Sequence, residues 1–135
     1  MLAQQPDLQN FLIMLIKSKL LIVDDDPISL RVLSEYLQGA RYAFVTAENG
    51  QQAWEILQKS PREFVLVIAD RIMPKMHGLE LLAKMRQHEI LKNIPLVMLT
   101  GEAEKDEIVA AIKAGVLDFL HKPIEKELLL AVLKR

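Results

Sequence analysis

Five side chains carry the chemistry this chain could do: Asp24, Asp25, Asp70, Thr100 and Lys122. Each follows a short apolar run. Leu20-Leu21-Ile22-Val23 leads into Asp24-Asp25, and Phe64-Val65-Leu66-Val67-Ile68-Ala69 leads into Asp70. Leu96-Val97-Met98-Leu99 leads into Thr100, and Phe119-Leu120-His121 leads into Lys122-Pro123. Carboxylates are hard oxygen donors that repel one another when clustered. At ~4 Å and an effective dielectric near 20, each pair costs about 4 kcal/mol. A divalent cation removes that repulsion. Few protein ligands and no dedicated cage favour Mg2+, which keeps waters and accepts phosphate oxygens; Mn2+ is a plausible substitute. Zinc is disfavoured, because the chain has no cysteine and its three histidines are scattered. An aspartate can also attack phosphorus and form an acyl phosphate. A lysine then holds the transferred oxygens as a point charge, and a hydroxyl can bond a third.

These residues need a frame that brings them to one place. Short apolar runs bounded by polar residues read as buried parallel strands, and ligand chemistry in an open parallel sheet sits at the strands' carboxyl ends. The pattern predicts strands over 19–24, 42–46, 64–69, 95–99 and 116–121. Between them, apolar residues recur at helical spacing. Asp26-Pro27 opens the first helix, with an acid at the cap and proline at the first position, and Gly39 suits its C-terminal cap. The second helix covers 50–59 and the third opens at Gly78. The fourth covers 102–114, with an acidic first turn and Gly115 at its end, and the fifth covers 125–135. Five such alternations give an α/β, doubly wound fold: a parallel sheet with helices on both faces and right-handed crossovers.

Composition agrees. The 135 residues are 51% hydrophobic and 26% charged, with 17 basic against 18 acidic residues and a net charge of -1. One ordinary core can be built, and the basic footprint of a nucleic-acid-binding domain is missing. The absence of cysteine excludes a disulfide scaffold and cysteine catalysis, and fits a reducing, cytoplasmic setting. The apolar stretch Phe11-Leu12-Ile13-Met14-Leu15-Ile16 is far short of the ~20 residues that span a bilayer. No positive leader or small-residue cleavage site surrounds it.

The motifs Val23-Asp24-Asp25, Asp70-Arg71-Ile72-Met73-Pro74-Lys75-Met76-His77-Gly78, Thr100-Gly101 and Lys122-Pro123 are weak singly. In this order and spacing, they resemble the receiver domain of two-component response regulators, the chemotaxis-Y-like family. The resemblance covers residues 19–135, with 1–18 as an N-terminal extension. It implies a flavodoxin-like three-layer sandwich with five strands in the order 2-1-3-4-5. It implies that Asp70 accepts a phosphoryl group from a sensor histidine kinase or histidine phosphotransfer protein. Asp24, Asp25, Asp70 and the backbone carbonyl of Ile72 would hold Mg2+. Thr100 and Lys122 would bind phosphoryl oxygens, and Thr100 and Phe119 would move as the switch. The bond before Pro123 would be cis. The readout would lie on the fourth helix, fifth strand and fifth helix, while Ile72 and Glu102 would tune dephosphorylation. Such a chain is a signalling switch that catalyses only its own phosphotransfer and dephosphorylation.

Plainer roles fit other residues. Asp26 reads as a helix cap, His77 as a solvated loop residue, Met73 and Met76 as loop packing, and Glu102, Glu104, Asp106 and Glu107 as a solvated helix face. His88 and His121 receive no role. Two other functions stand beside the leading one. The first is a receiver-like interaction module that is never phosphorylated, against which the full residue set argues. The second is a dehalogenase-like phosphatase with an aspartyl nucleophile. There Ile28 stands where a Thr or Val is usual, and no stretch is available for a cap. The segment 8–16, apolar on every side, would pack on its own domain or on a second copy as a homodimer. Met14 as a natural start is the plainer alternative. No direct nucleic-acid binding or membrane insertion is expected. No output domain is legible, so the chain either docks to a partner or continues beyond Arg135.

Overall fold

The computed structural model describes residues 19–134. The expected N-terminal extension, and with it any self-association through that segment, lies outside the described residues. Five strands form one sheet: β1 (Lys19–Val23), β2 (Ala43–Ala47), β3 (Phe64–Asp70), β4 (Leu96–Thr100) and β5 (Asp118–His121). All pairings are parallel and the order is β2-β1-β3-β4-β5. The helices are α1 (Pro27–Gly39), α2 (Gly50–Lys59), α3 (Gly78–Arg86), α4 (Lys105–Ala114) and α5 (Lys126–Leu133). No helix among the described residues is long and apolar enough to cross a membrane.

Strand side chains alternate between two faces, so each buried strand feeds two cores. Leu20 and Ile22 of β1, with Leu66, Ile68, Val97 and Leu99, pack against Leu33 and Leu37 of α1 and Leu129 of α5. Leu21 and Val23, with Val67, Ala69, Leu96 and Met98, pack against α2, α3 and α4 through Leu57, Leu82 and Ala111. Both faces are covered, which is why β1, β3 and β4 read as continuous apolar runs instead of alternating ones. The strand order reverses direction between β1 and β3. That switch point opens a crevice at the carboxyl ends of the two strands. Val23 pairs with Ala69, so Asp24 and Asp70 are the next residues out, side by side.

Several boundaries differ from the sequence reading. β1 stops at Val23, because the Asp24 side chain turns to accept a hydrogen bond from the Asp26 N–H at 2.9 Å. β3 and β4 each gain a residue, Asp70 and Thr100. The Arg71 N–H donates to the Leu99 carbonyl at 2.9 Å, and the Lys122 N–H to the Thr100 carbonyl at 2.8 Å, so the ladder continues past the apolar runs. α4 begins at Lys105, not 102, because Glu104 is its cap and donates its N–H to Glu107 Oε1 at 3.0 Å. β5 begins at Asp118, since Val116 still closes α4 by donating to the Ala111 carbonyl. After α1 the left-handed residue is Arg41 (φ 66°), whereas Gly39 lies inside the helix. Gly115, at φ 100°, ends α4 as read from the sequence. A 3-10 turn at Leu91–Asn93 was not anticipated. His88 shapes the chain before it, its Nδ1 accepting from the N–H groups of Ile90 and Leu91 at 3.1 and 3.2 Å.

Candidate functional site

The ends of β1, β3, β4 and β5 converge. Asp24 is fully buried, Asp70 is 9% exposed and Asp25 faces solvent. One carboxylate oxygen from each lies within 4.8 Å of the others. Lys122 reaches in from the end of β5. Its Nζ stands 2.7 Å from Asp24 Oδ2 and 3.0 Å from Asp70 Oδ2. The shorter contact is an ion pair, and Lys122 is the partner that Asp24 Oδ2 has in this buried position. The Lys122–Pro123 peptide is cis.

Charge shapes both partners. Burial pushes the Asp24 carboxyl above its ordinary 3.8; Lys122 and the Asp26 N–H oppose this, and the charge of Asp70 adds to it. Burial alone would lower the Lys122 ammonium, but its bonds to Asp24 and Asp70 outweigh it and hold it above 10.5. Three carboxyl groups thus face one ammonium in one crevice. Hard oxygen donors within 4.8 Å of one another, and more carboxyl groups than the one ammonium can pair, fit a divalent cation of the magnesium type.

Thr100 is 1% exposed, and its Oγ1 has no hydrogen-bond partner. A buried unpaired hydroxyl costs roughly 1–3 kcal/mol, a cost that a ligand oxygen could remove. Asp70, Thr100 and Lys122 share a cavity of ≈ 210 Å³ with Arg71, Ile72, Gly101 and Glu102. The structure thus brings Asp24, Asp25, Asp70, Thr100 and Lys122 together, with Ile72 at the rim and 57% exposed. Phe119 lies outside that cavity. It is half-buried in β5, opposite Met98, and lines a separate groove with Leu128 and Val132.

The surrounding loops explain the fit. Asp26 caps α1, accepting from the Ile28 N–H at 3.0 Å and Ser29 Oγ at 3.1 Å, and those bonds hold its carboxyl below the ordinary range. Met73 and Met76 are buried in the core and seat the loop after Asp70. A Cβ on Gly78 would stand 2.6 Å from the Asp70 carbonyl oxygen, so glycine lets α3 start against the end of β3. His77 is more than a loop residue: it caps α3, its N–H donating to Glu80 Oε1 at 3.1 Å. Sequence reasoning missed Arg71, whose guanidinium pairs with Glu107. Glu107 is therefore not simply part of a solvated helix face. A basic residue directly after Asp70 and an acidic run after Thr100 were the available signal.

The model of the family described as response regulator receiver domain matches residues 20–134. The chain is 40% identical over 112 residues to the chemotaxis protein CheY1 of Helicobacter pylori (strain ATCC 700392 / 26695), covering 82% of this chain and 90% of that protein. It is 37% identical over 108 residues to the two-component response regulator-like PRR37 of Oryza sativa subsp. indica. That match covers 80% of this chain but only 15% of the rice protein's length. Among solved structures, chemotaxis protein CheY4 of Vibrio cholerae superposes with a TM-score of 0.81 at 34% identity, covering 88% of this chain and 98% of that one.

Proposed function

The chain belongs to the response regulator receiver-domain family, and on that premise we propose that Asp70 is the phosphoacceptor of a Mg2+-dependent signalling switch. The observation that carries this reading is the convergence of Asp70, Lys122 and the unpartnered Thr100 hydroxyl on one small cavity. The donor is a phosphohistidine on a sensor histidine kinase or a phosphotransfer protein. A carboxylate oxygen of Asp70 attacks phosphorus, the phosphorus–nitrogen bond breaks, and the histidine nitrogen leaves with the electron pair. Water later cleaves the acyl phosphate, returning Asp70 and inorganic phosphate. The chain has no other turnover in this account.

Each residue has a defined task. Asp24, Asp25, Asp70 and the Ile72 carbonyl would hold Mg2+, which, when bound, offsets charge on the phosphoryl oxygens. Lys122 releases part of its bond to Asp70 and pairs with a phosphoryl oxygen as a point charge. The Thr100 hydroxyl donates to a second oxygen, gaining the partner it lacks. Thr100 and Phe119 then shift together, and α4, β5 and α5 present the altered face to an output partner. Thr100 and Phe119 lie near one another on paired strands, two register steps apart. The proposed setting is the cytoplasm, consistent with a cysteine-free chain.

The test is chemical mapping. After incubation with a phosphohistidine donor, borohydride reduction converts an aspartyl phosphate to homoserine, and peptide sequencing locates it. Homoserine at position 70 is expected. Homoserine elsewhere, or none when the donor is consumed, overturns the assignment.

A further inference from the structure

Arg71 follows Asp70 directly, and its side chain is 18% exposed. Its Nη1 pairs with Glu107 Oε2, and its Nη2 donates to the Glu102 carbonyl at 2.9 Å. Glu107 Oε1 accepts from the Glu104 N–H at 3.0 Å. The guanidinium therefore grips both ends of the loop between β4 and α4, and its carboxylate partner also caps α4. Its backbone is fixed: the Arg71 N–H donates to the Leu99 carbonyl at 2.9 Å, and its carbonyl accepts from the Gly78 N–H at 3.1 Å. Only the Arg71 side chain is therefore free to follow a moving loop. It also lines the cavity of Asp70 and Thr100, and its Nε is buried without a hydrogen-bond partner.

We infer that Arg71 is a positioning residue that clasps the β4–α4 loop to the phosphoacceptor strand and passes the phosphoryl occupancy of Asp70 to α4. The inference rests on Asp70 being the phosphoacceptor. Phosphorylation replaces the carboxylate charge of Asp70 with roughly 1.5–2 negative charges on the phosphoryl oxygens, a net gain of about one at most, in the cavity that the guanidinium lines. Guanidinium binds phosphate and carboxylate oxygens in the same forked geometry, so the new anion competes with Glu107. Because Glu107 also satisfies the start of α4, weakening its pair with Arg71 loosens the first turn of that helix. A lysine at position 71 would keep the charge but not the two-pronged grip.

Two measurements test the clasp. The first is amide hydrogen exchange in the unphosphorylated protein. In Arg71→Ala and in Glu107→Gln, exchange at residues 103–108 should rise about tenfold or more, with β1 and β3 unchanged and Arg71→Lys in between. Exchange at 103–108 within about twofold of the parent in both variants would overturn the clasp. The second is the shift of α4 amide resonances at equal, mass-verified phosphorylation of Asp70. Arg71→Ala should give about half the parent's shift or less, and a shift equal to the parent's would overturn the coupling. If the parent takes up no phosphoryl group, the phosphoacceptor reading fails, and with it the coupling to α4; the exchange measurement still decides the clasp.

Discussion

At the scale of single residues, the site stores unfavourable electrostatics in the resting protein. Asp24 is the clearest case. Burial holds its carboxyl above 3.8, so between 3.8 and that raised value the folded chain keeps a proton that the unfolded chain has released. Stability contributed at this residue therefore falls as pH rises through that window, and the cost is fully present above it. In chelator-treated buffer at neutral pH, Asp24→Asn should be more stable than the parent by about 1 kcal/mol in urea unfolding. The difference should shrink below pH 3.8. A less stable variant at neutral pH would mean that the Lys122 pair outweighs burial. Thr100 makes a parallel case. Thr100→Val deletes a buried hydroxyl that has no partner, so the resting protein should be as stable as the parent or gain up to about 1 kcal/mol, while the phosphorylation-dependent shift of α4 and β5 amides falls. A clear loss of stability would show that the hydroxyl is already satisfied.

At the scale of elements, the connections carry the precision. Arg86, in the last turn of α3, donates through Nη1 to the carbonyls of Lys92 and Ile94, at 3.2 and 2.8 Å. Burial holds its guanidinium below the ordinary arginine range. These bonds tie the end of α3 to the start of β4, the strand that ends at Thr100. Arg86→Ala leaves polar groups unpaired and should cost about 1–3 kcal/mol in urea unfolding, with Arg86→Lys recovering part of it. An unchanged midpoint would show that solvent replaces both bonds. The identity of each described strand and α-helix was legible in sequence, because the apolar runs of β1, β3 and β4 are uninterrupted and α1 and α4 carry caps at Asp26 and Gly115, whereas the 3-10 turn at Leu91–Asn93 has no such signal. Boundaries were less legible. The apolar pattern ends at Ala69 and Leu99, but the backbone ladder continues one residue into Asp70 and Thr100. The start of α4 depends on which acid of the run 102–107 faces which N–H, and that is decided in three dimensions.

At the scale of the whole molecule, the strand order β2-β1-β3-β4-β5 makes the site. It places the ends of β1 and β3 side by side at the switch point and sets β4 and β5 beyond them, so four distant stretches meet at one edge. Spacing alone could place these residues at strand ends but could not order the strands; the family resemblance supplied the order. The Asp70, Thr100 and Lys122 cluster was legible because each ends its own apolar run. The Arg71–Glu107 pair was not, because residues 36 apart share no periodicity and meet only after β3 and β4 pair.

The central claim is that this edge accepts a phosphoryl group on Asp70. It is tested most directly by intact mass after incubation with acetyl phosphate, with and without Mg2+, for the parent and Asp70→Asn. The account predicts the gain of one phosphoryl group in the parent with Mg2+, and none in the variant or without the metal. An equal gain in Asp70→Asn, or no gain in a folded parent shown to bind Mg2+, would contradict it.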